Sequence, residues 1–230
     1  MSIISLIKKF KYRLEGKAII SPTISIKKSW IGNVYGGFYI NLDSLNKESI
    51  IYSVGIGEDV SFDLELIDKI KCNIYPFDPT PKAVNFVERN ISDNRFIFSK
   101  FGLSNISNHL TFYLPKNDKH VSGSLKKLKT VSKDKTIQLE FKTLSDIMKM
   151  FNHDTISLLK MDIEGAEYDI ISDILDNQIQ IKQMVVEFHP QLIEDGKSKT
   201  QKIIKDLFKA GYDLFAVSNN YCEYSFIKSE

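Results

Sequence analysis

The sequence predicts an α/β domain on a mostly parallel sheet that ends in an antiparallel hairpin. Three observations predict it. From Ile50 onward, short β-rich runs alternate with amphipathic stretches of helical period, the pattern of a parallel sheet covered by helices. The first such run ends in "SVGIGED", with Gly55 and Gly57 just before a helix. A later run, "SLLKMDIEGAEYDII", places Asp162, Glu164 and Glu167 immediately after an apolar strand, where an open parallel sheet binds its ligands.

Taken in order, residues 1–49 read as an N-terminal helix and cap, and residues 50–230 as the main domain. In the cap, "WIGNVYGGFYI" sets Gly36 and Gly37 among aromatics, which suits a hairpin turn or a close approach to a ligand, the turn being the better reading. Ile50 to Val54 is the first strand, and a helix from Asp59 to Ile70 aligns Phe62, Leu66, Ile67 and Ile70. Ile74 to Phe77 is the second strand, followed by a helix after the Pro79–Pro81 turn and a third strand from Arg95 to Phe101. Residues 107–141 break the alternation: "HLTFYL" and "TIQLEF" form a hairpin insertion around a Lys- and Ser-rich loop. A helix near Thr143 to Met150 leads to the Ile156 strand and the helix of Ile170, Ile171 and Ile174. "QMVVEF" follows as a strand, then a helix from Lys199 to Lys209 stopped by Gly211. The closing strands, "YDLFAV" and "YCEYSFI", flank Asn219 and Asn220, which tolerate the left-handed conformations of a tight turn.

Composition narrows the function. With 31 basic and 29 acidic side chains the net charge is +2, which argues against a nucleic-acid partner. Cys72 and Cys222 have no second cysteine at metal or redox spacing and read as buried thiols. No run reaches the ~18 apolar residues of a membrane span, and the first 17 residues lack signal-peptide order, so a cytoplasmic protein is expected. Ile3, Ile4, Leu6, Ile7 and Phe10 beside a basic stretch also fit peripheral membrane contact, although a helix docked on the domain fits them better.

The glycines of "GIG" let backbone amides approach a ligand at a helix start. A dinucleotide fold requires a third glycine at position 60, where Val60 stands, and no P-loop motif occurs. Glu58 and Asp59 would repel a pyrophosphate but suit the ammonium and sulfonium of S-adenosylmethionine. Asp78 follows about 20 residues later, where an acid accepts hydrogen bonds from ribose hydroxyls.

"YSVGIGEDVSFDLELI", "FDPTP", "FGLSN", "LLKMDIEGAEYDII", "VVEFHP" and "GYDLFAVSNNYCEYSFI" together resemble the FkbM family of S-adenosylmethionine-dependent methyltransferases over roughly residues 30 to 228. The resemblance implies a Rossmann-like class I methyltransferase fold with a seven-stranded sheet, and methyl transfer to oxygen, often on sugars. It implies a cofactor site of Gly55, Gly57, Glu58, Asp59, Asp78, Pro79, Asp162 and the backbone at Gly102 and Leu103. Ser53 stands where class I enzymes commonly carry an acid, which moves the anchor for the cofactor's amino group to Glu58 or Asp59.

A sugar hydroxyl is a poor nucleophile until a base accepts its proton. Asp162 and Glu164 in "DIEGAE", and Glu187 and His189 in "VVEFHP", are the catalytic candidates, whereas Glu167 fits better as a helix-start acid. A histidine with an ordinary pKa of ~6.5 suits a base near neutrality. The same cluster would suit Mg²⁺ or Mn²⁺, but the family pattern demands neither, and no metal is assigned. The loop at 116–135 holds seven lysines against two aspartates and reads first as solvated surface. As a lid over an anionic acceptor it would offer His120, Ser122 and Ser124 as acceptor contacts. The combined reading is an O-methyltransferase acting on a sugar, a glycan or its activated precursor. Its rivals are a nicotinamide-dependent sugar dehydrogenase or epimerase, and a methyltransferase-like scaffold without turnover.

Overall fold

A computed structural model describes residues 10–13, 15–117 and 123–229. Its centre is a six-stranded sheet of β3 (Ile51–Val54), β4 (Ile74–Phe77), β8 (Ile156–Met161), β9 (Ile181–Glu187), β10 (Tyr212–Val217) and β11 (Glu223–Lys228). The order is β10-β11-β9-β8-β3-β4; β3, β4, β8 and β9 run parallel and β11 is antiparallel to both neighbours. The expected seventh strand is present only in part. Residues 95–99 run beside β4 through two isolated bridges, Ile74 to Phe96 and Phe77 to Ser99, because Phe98 turns its amide back to the Phe96 carbonyl.

Period-two alternation distributes the core to both faces of this sheet. Tyr52, Leu159, Met184 and Val186 face one side, where α3 (Leu144–Phe151), α4 (Glu167–Asp176) and α5 (Gly196–Lys209) pack through Ile147, Ile171 and Leu207. Ile51, Leu158 and Val185 face the other, against Phe62 and Leu66 of α1 (Ser61–Ile70) and Ala83 and Val87 of α2 (Pro81–Asn90). Thr80 caps α2 by accepting the Ala83 amide, and Pro81 occupies its first turn, where no amide is needed.

The N-terminal cap is part of this second core. The hairpin of β1 (Ser29–Ile31) and β2 (Phe38–Ile40) buries Ile31, Phe38 and Ile40 fully, with Phe38 edge-on to Phe62. Buried Gln183 on β9 ties in the same segment, accepting from the Asn41 amide at 2.8 Å and donating to Ser44 Oγ at 3.1 Å. The apolar N-terminal residues 3, 4, 6 and 7 lie outside the described residues; among those described, no helix is long and apolar enough to cross a membrane.

The insertion is a long antiparallel hairpin, β6 (Asn108–Pro115) with β7 (Val131–Lys142), joined in parallel by β5 (Gly102–Leu103) as a separate three-stranded sheet. In the closing turn between β10 and β11 the left-handed residue is Tyr221, with φ 59°, and not Asn219 or Asn220. Asn220 serves through its side chain, whose Oδ1 accepts from the Cys222 amide and the Ser218 hydroxyl. Both cysteines are buried and free.

Candidate functional site

The carboxyl ends of β3, β4 and β8 open into a cavity of about 510 Å³, within the range of small-molecule sites. Gly55, Gly57, Glu58, Asp59, Asp78 and Pro79 line one side, Gly102 and Leu103 another, and Asp162, Ile163 and Glu164 the floor. The insertion supplies Phe112, Gly123, Leu125 and Phe141, and the N-terminal hairpin supplies Tyr35 and Gly36. Sequence reasoning offered a ligand approach at Gly36 only as the lesser alternative to a turn and missed Phe112 and Phe141, because only the tertiary fold brings the insertion over the strand ends.

The glycine loop is held from beneath. Gly55 has φ 75°, and a Cβ there would lie 1.7 Å from the Asp162 carbonyl oxygen. Backbone crossing therefore requires this glycine, independently of any ligand. Buried Lys160 donates from Nζ to the Gly55 carbonyl at 2.8 Å, and Asp78 Oδ2 accepts the Gly57 amide at 3.0 Å. Asp78 Oδ1 also accepts from the Thr80 amide and hydroxyl, so this acid joins the ends of β3 and β4.

Asp59 accepts from the Ser61 amide at 2.9 Å and from Asn33 Nδ2 at 2.6 Å, clamping the start of α1 to the hairpin. Burial opposes its ionisation, but those hydrogen bonds, with help from Lys160, hold its pKa below the usual carboxylate value. Ser53 is fully buried and does not line the cavity; beside it Asp63, also buried, has its pKa pushed up to about 6 by burial, against the opposing pull of Lys160 and Ser53.

The acid-rich turn after β8 assembles with the end of β9. Glu164 has φ 51° and Gly165 φ 95°, a left-handed pair that turns the chain sharply into α4. A non-glycine residue in that region is a strained conformation of the kind that clusters at ligand sites. Glu167 is not a helix cap. Wholly buried, it accepts from the Ile163 amide at 3.2 Å, the Gly165 amide at 3.1 Å and His189 Nδ1 at 2.9 Å, bracing the turn and orienting the imidazole. His189 Nε2 then faces Asp162 Oδ1 at 3.7 Å, Glu164 Oε2 at 3.8 Å and Glu187 Oε1 at 3.7 Å.

Electrostatics reverse the expected roles of these groups. Burial disfavours the His189 imidazolium, but Glu167, Asp162 and Glu164 outweigh it and raise its pKa to about 10, too high for a free base at neutrality. Burial first, and the Asp162 charge second, push the Glu187 pKa upward, so the carboxyl group is the one that exchanges a proton nearer neutral pH.

The acceptor candidates fare unequally. His120 and Ser122 lie outside the described residues. Ser124 is buried and donates to the Glu164 carbonyl at 2.9 Å, which makes it a brace between the insertion and the acid turn. In the adjoining lysine-rich stretch, Lys126 pairs with Asp169 at 2.9 Å.

A sheet with a glycine loop, an acid closing β4 and acids after β8 is the arrangement that the sequence resemblance implies. The Methyltransferase FkbM domain matches residues 19–214, and the chain belongs to that family. Human "Probable methyltransferase-like protein 24" is 24% identical over 175 residues, which is 74% of this chain and 39% of that protein. The FkbM methyltransferase structure from Methylobacillus flagellatus has 14% identity and a TM-score of 0.48, covering 80% of this chain and 44% of that one. TrmK of M. capricolum, solved with S-adenosylhomocysteine, has 12% identity and a TM-score of 0.38, covering 80% and 62%. The chain thus spans about two-fifths of the length of the first two proteins.

The residues present fit S-adenosylmethionine. The cavity has room for it, and Glu58, Asp59 and Asp78 line the wall beside Gly55 and Gly57, where acids suit its ammonium and sulfonium.

Proposed function

We propose that the chain transfers the methyl group of S-adenosylmethionine to a hydroxyl oxygen of a sugar, a glycan or its activated precursor. One observation carries this reading: Asp162 and Glu164, which line the cavity, converge together with Glu187 on buried His189. A hydroxyl acceptor needs a proton acceptor and groups to orient it, whereas a more nucleophilic amine or thiol needs less. When bound, S-adenosylmethionine supplies an electrophilic methyl carbon for in-line attack. Gly55, Gly57 and Asp78 position the donor, and Asp162 lies between donor and acceptor. Glu164 accepts a hydrogen bond from the acceptor, the ionised form of Glu187 takes its proton, and charged His189 keeps the carboxylates in place. The cavity walls of Phe112 and Phe141 limit water.

Calorimetry with S-adenosylhomocysteine and mass spectrometry of sugars and nucleotide sugars incubated with the methyl donor test the proposal. Asp78→Ala should weaken cofactor binding, whereas Glu164→Gln should spare binding and depress turnover. Methylation confined to amine or thiol acceptors would refute the hydroxyl assignment, and a chain that ignores S-adenosylhomocysteine would refute the site.

A further inference from the structure

Asp162, Glu164 and His189 each present one donor atom, and the three atoms lie within 4.8 Å of one another. Donors that share one ion at about 2.1–2.2 Å stand roughly 3.0 Å apart when adjacent and roughly 4.3 Å when opposite. The separations of 3.7 and 3.8 Å from His189 Nε2 to the two carboxylates fall inside that bracket. At these lengths the contacts are ion pairs rather than hydrogen bonds.

A second feature lies outside the donor set. Glu167, with no solvent exposure, accepts from His189 Nδ1 at 2.9 Å. A carboxylate on the far nitrogen is the usual partner of a metal-bound imidazole, because it fixes the tautomer that leaves Nε2 free to coordinate. Here a buried acid is spent on it, and the same acid holds the Ile163 and Gly165 amides that shape the turn carrying Glu164. Ligand and orienting group are thus set by one side chain.

We propose that Asp162, Glu164 and His189 form a site for a hard divalent cation of the Mn²⁺ or Mg²⁺ type, with Glu167 orienting His189. Two carboxylates and one imidazole favour Mn²⁺ as the tighter of the two. Asp162 and Glu164 both line the cofactor cavity, so the open coordination positions face the acceptor. Resting on the methyl-transfer reading above, the ion's role is to bind the acceptor oxygen. The hydroxyl proton passes to Glu187, an oxygen–carbon bond forms, the carbon–sulfur bond breaks, and the sulfonium becomes a neutral thioether.

The test titrates Mn²⁺ into chelator-treated chain, followed by loss of the free-ion electron paramagnetic resonance signal, with S-adenosylhomocysteine affinity measured separately by calorimetry. One Mn²⁺ per chain is expected, displaced by excess Mg²⁺ and accompanied by a rise in the thermal midpoint of the wild-type protein. Glu164→Gln should weaken Mn²⁺ at least tenfold, and Glu167→Gln about 10- to 100-fold, as expected for an orienting carboxylate. Wild-type chain that binds S-adenosylhomocysteine but no Mn²⁺ overturns the metal site and leaves the cofactor site standing. Mn²⁺ binding unchanged in Glu164→Gln also overturns it. Chain that binds Mn²⁺ but not S-adenosylhomocysteine supports the metal site and refutes the cofactor reading. Should a variant fail to fold, the wild-type titration and thermal shift decide alone.

Discussion

Replacing Gly55 by alanine should damage the fold before it damages ligand binding. The added Cβ would stand 1.7 Å from the Asp162 carbonyl oxygen and 2.8 Å from its carbon. An ordinary carbon–oxygen contact needs about 3.3 Å, so the ends of β3 and β8 must part by roughly 1.6 Å. That movement breaks the bond from the Asp162 amide to the Val54 carbonyl, now 3.1 Å, at a loss of about 1 kcal/mol. Holding alanine at φ 75° adds about 1–2 kcal/mol. The total, about 3 kcal/mol or more with packing losses, is a large share of a domain's 5–15 kcal/mol. Gly165→Ala is the control. Its φ of 95° carries a similar backbone cost, yet its Cβ would meet only side-chain ends, Ile193 Cγ2 at 3.2 Å and Leu128 Cδ1 at 3.9 Å. Urea unfolding followed by circular dichroism should therefore separate the variants by about 2 kcal/mol at equal slope. Equal stabilities would refute the claim that Gly55 is demanded by crossing backbone.

Asp63 supplies a pH test. Its folded pKa of about 6 exceeds the unfolded value of 3.8, so its contribution to stability is fully present below the unfolded pKa and is lost as pH rises through 6. Asp63→Asn should thus gain about 2 kcal/mol on the wild type between pH 4 and pH 8 in urea titrations; a constant difference would contradict the assignment. Lys160→Met keeps the length of the side chain but removes the donor to the Gly55 carbonyl, and should cost about 2 kcal/mol and loosen S-adenosylhomocysteine binding measured calorimetrically. Glu167→Ala strands the Ile163 and Gly165 amides and His189 Nδ1, and should cost about 4 kcal/mol or more, against far less for exposed Glu58→Ala in the same thermal melts.

What could be read from the sequence was whatever depends on neighbours along the chain. The strand at Ile156 and the helix carrying Ile170, Ile171 and Ile174 follow from periodicity, as does the antiparallel pair at the end. What escaped depends on contacts between distant segments. Gly55 was legible as a glycine facing the ligand crevice, but the crossing backbone of Asp162, 107 residues away, was not. Glu167 looked like a helix-start acid because its position in the first turn suits one; its bond to His189 exists only because β8 and β9 are adjacent. Tyr221, not Asn219 or Asn220, takes the left-handed position, because Asn220 is more useful accepting from Cys222 and Ser218. Phe112 and Phe141 face the cavity through a separate sheet whose placement no local pattern encodes.

The cost of charge at the end of a buried strand is met by different means on the two sides of the crevice. Under the glycine loop, Lys160 stands near Asp59 and Asp63 and draws both toward their charged forms, so that group approaches balance without a ligand. Above the acid turn, Asp162, Glu164, Glu167 and Glu187 surround the imidazole of His189, and Glu187 relieves the excess by holding its proton more tightly. A sulfonium donor or a divalent ion lowers the energy of the second group far more than the first. The strained left-handed pair Glu164–Gly165 sits on that same unbalanced side, with Gly55 and Gly57 opposite, so positive charge entering the crevice relieves repulsion where the backbone is least relaxed. Negative charge and conformational strain are in this way concentrated in one turn, and core packing on both faces of the sheet holds that turn in place.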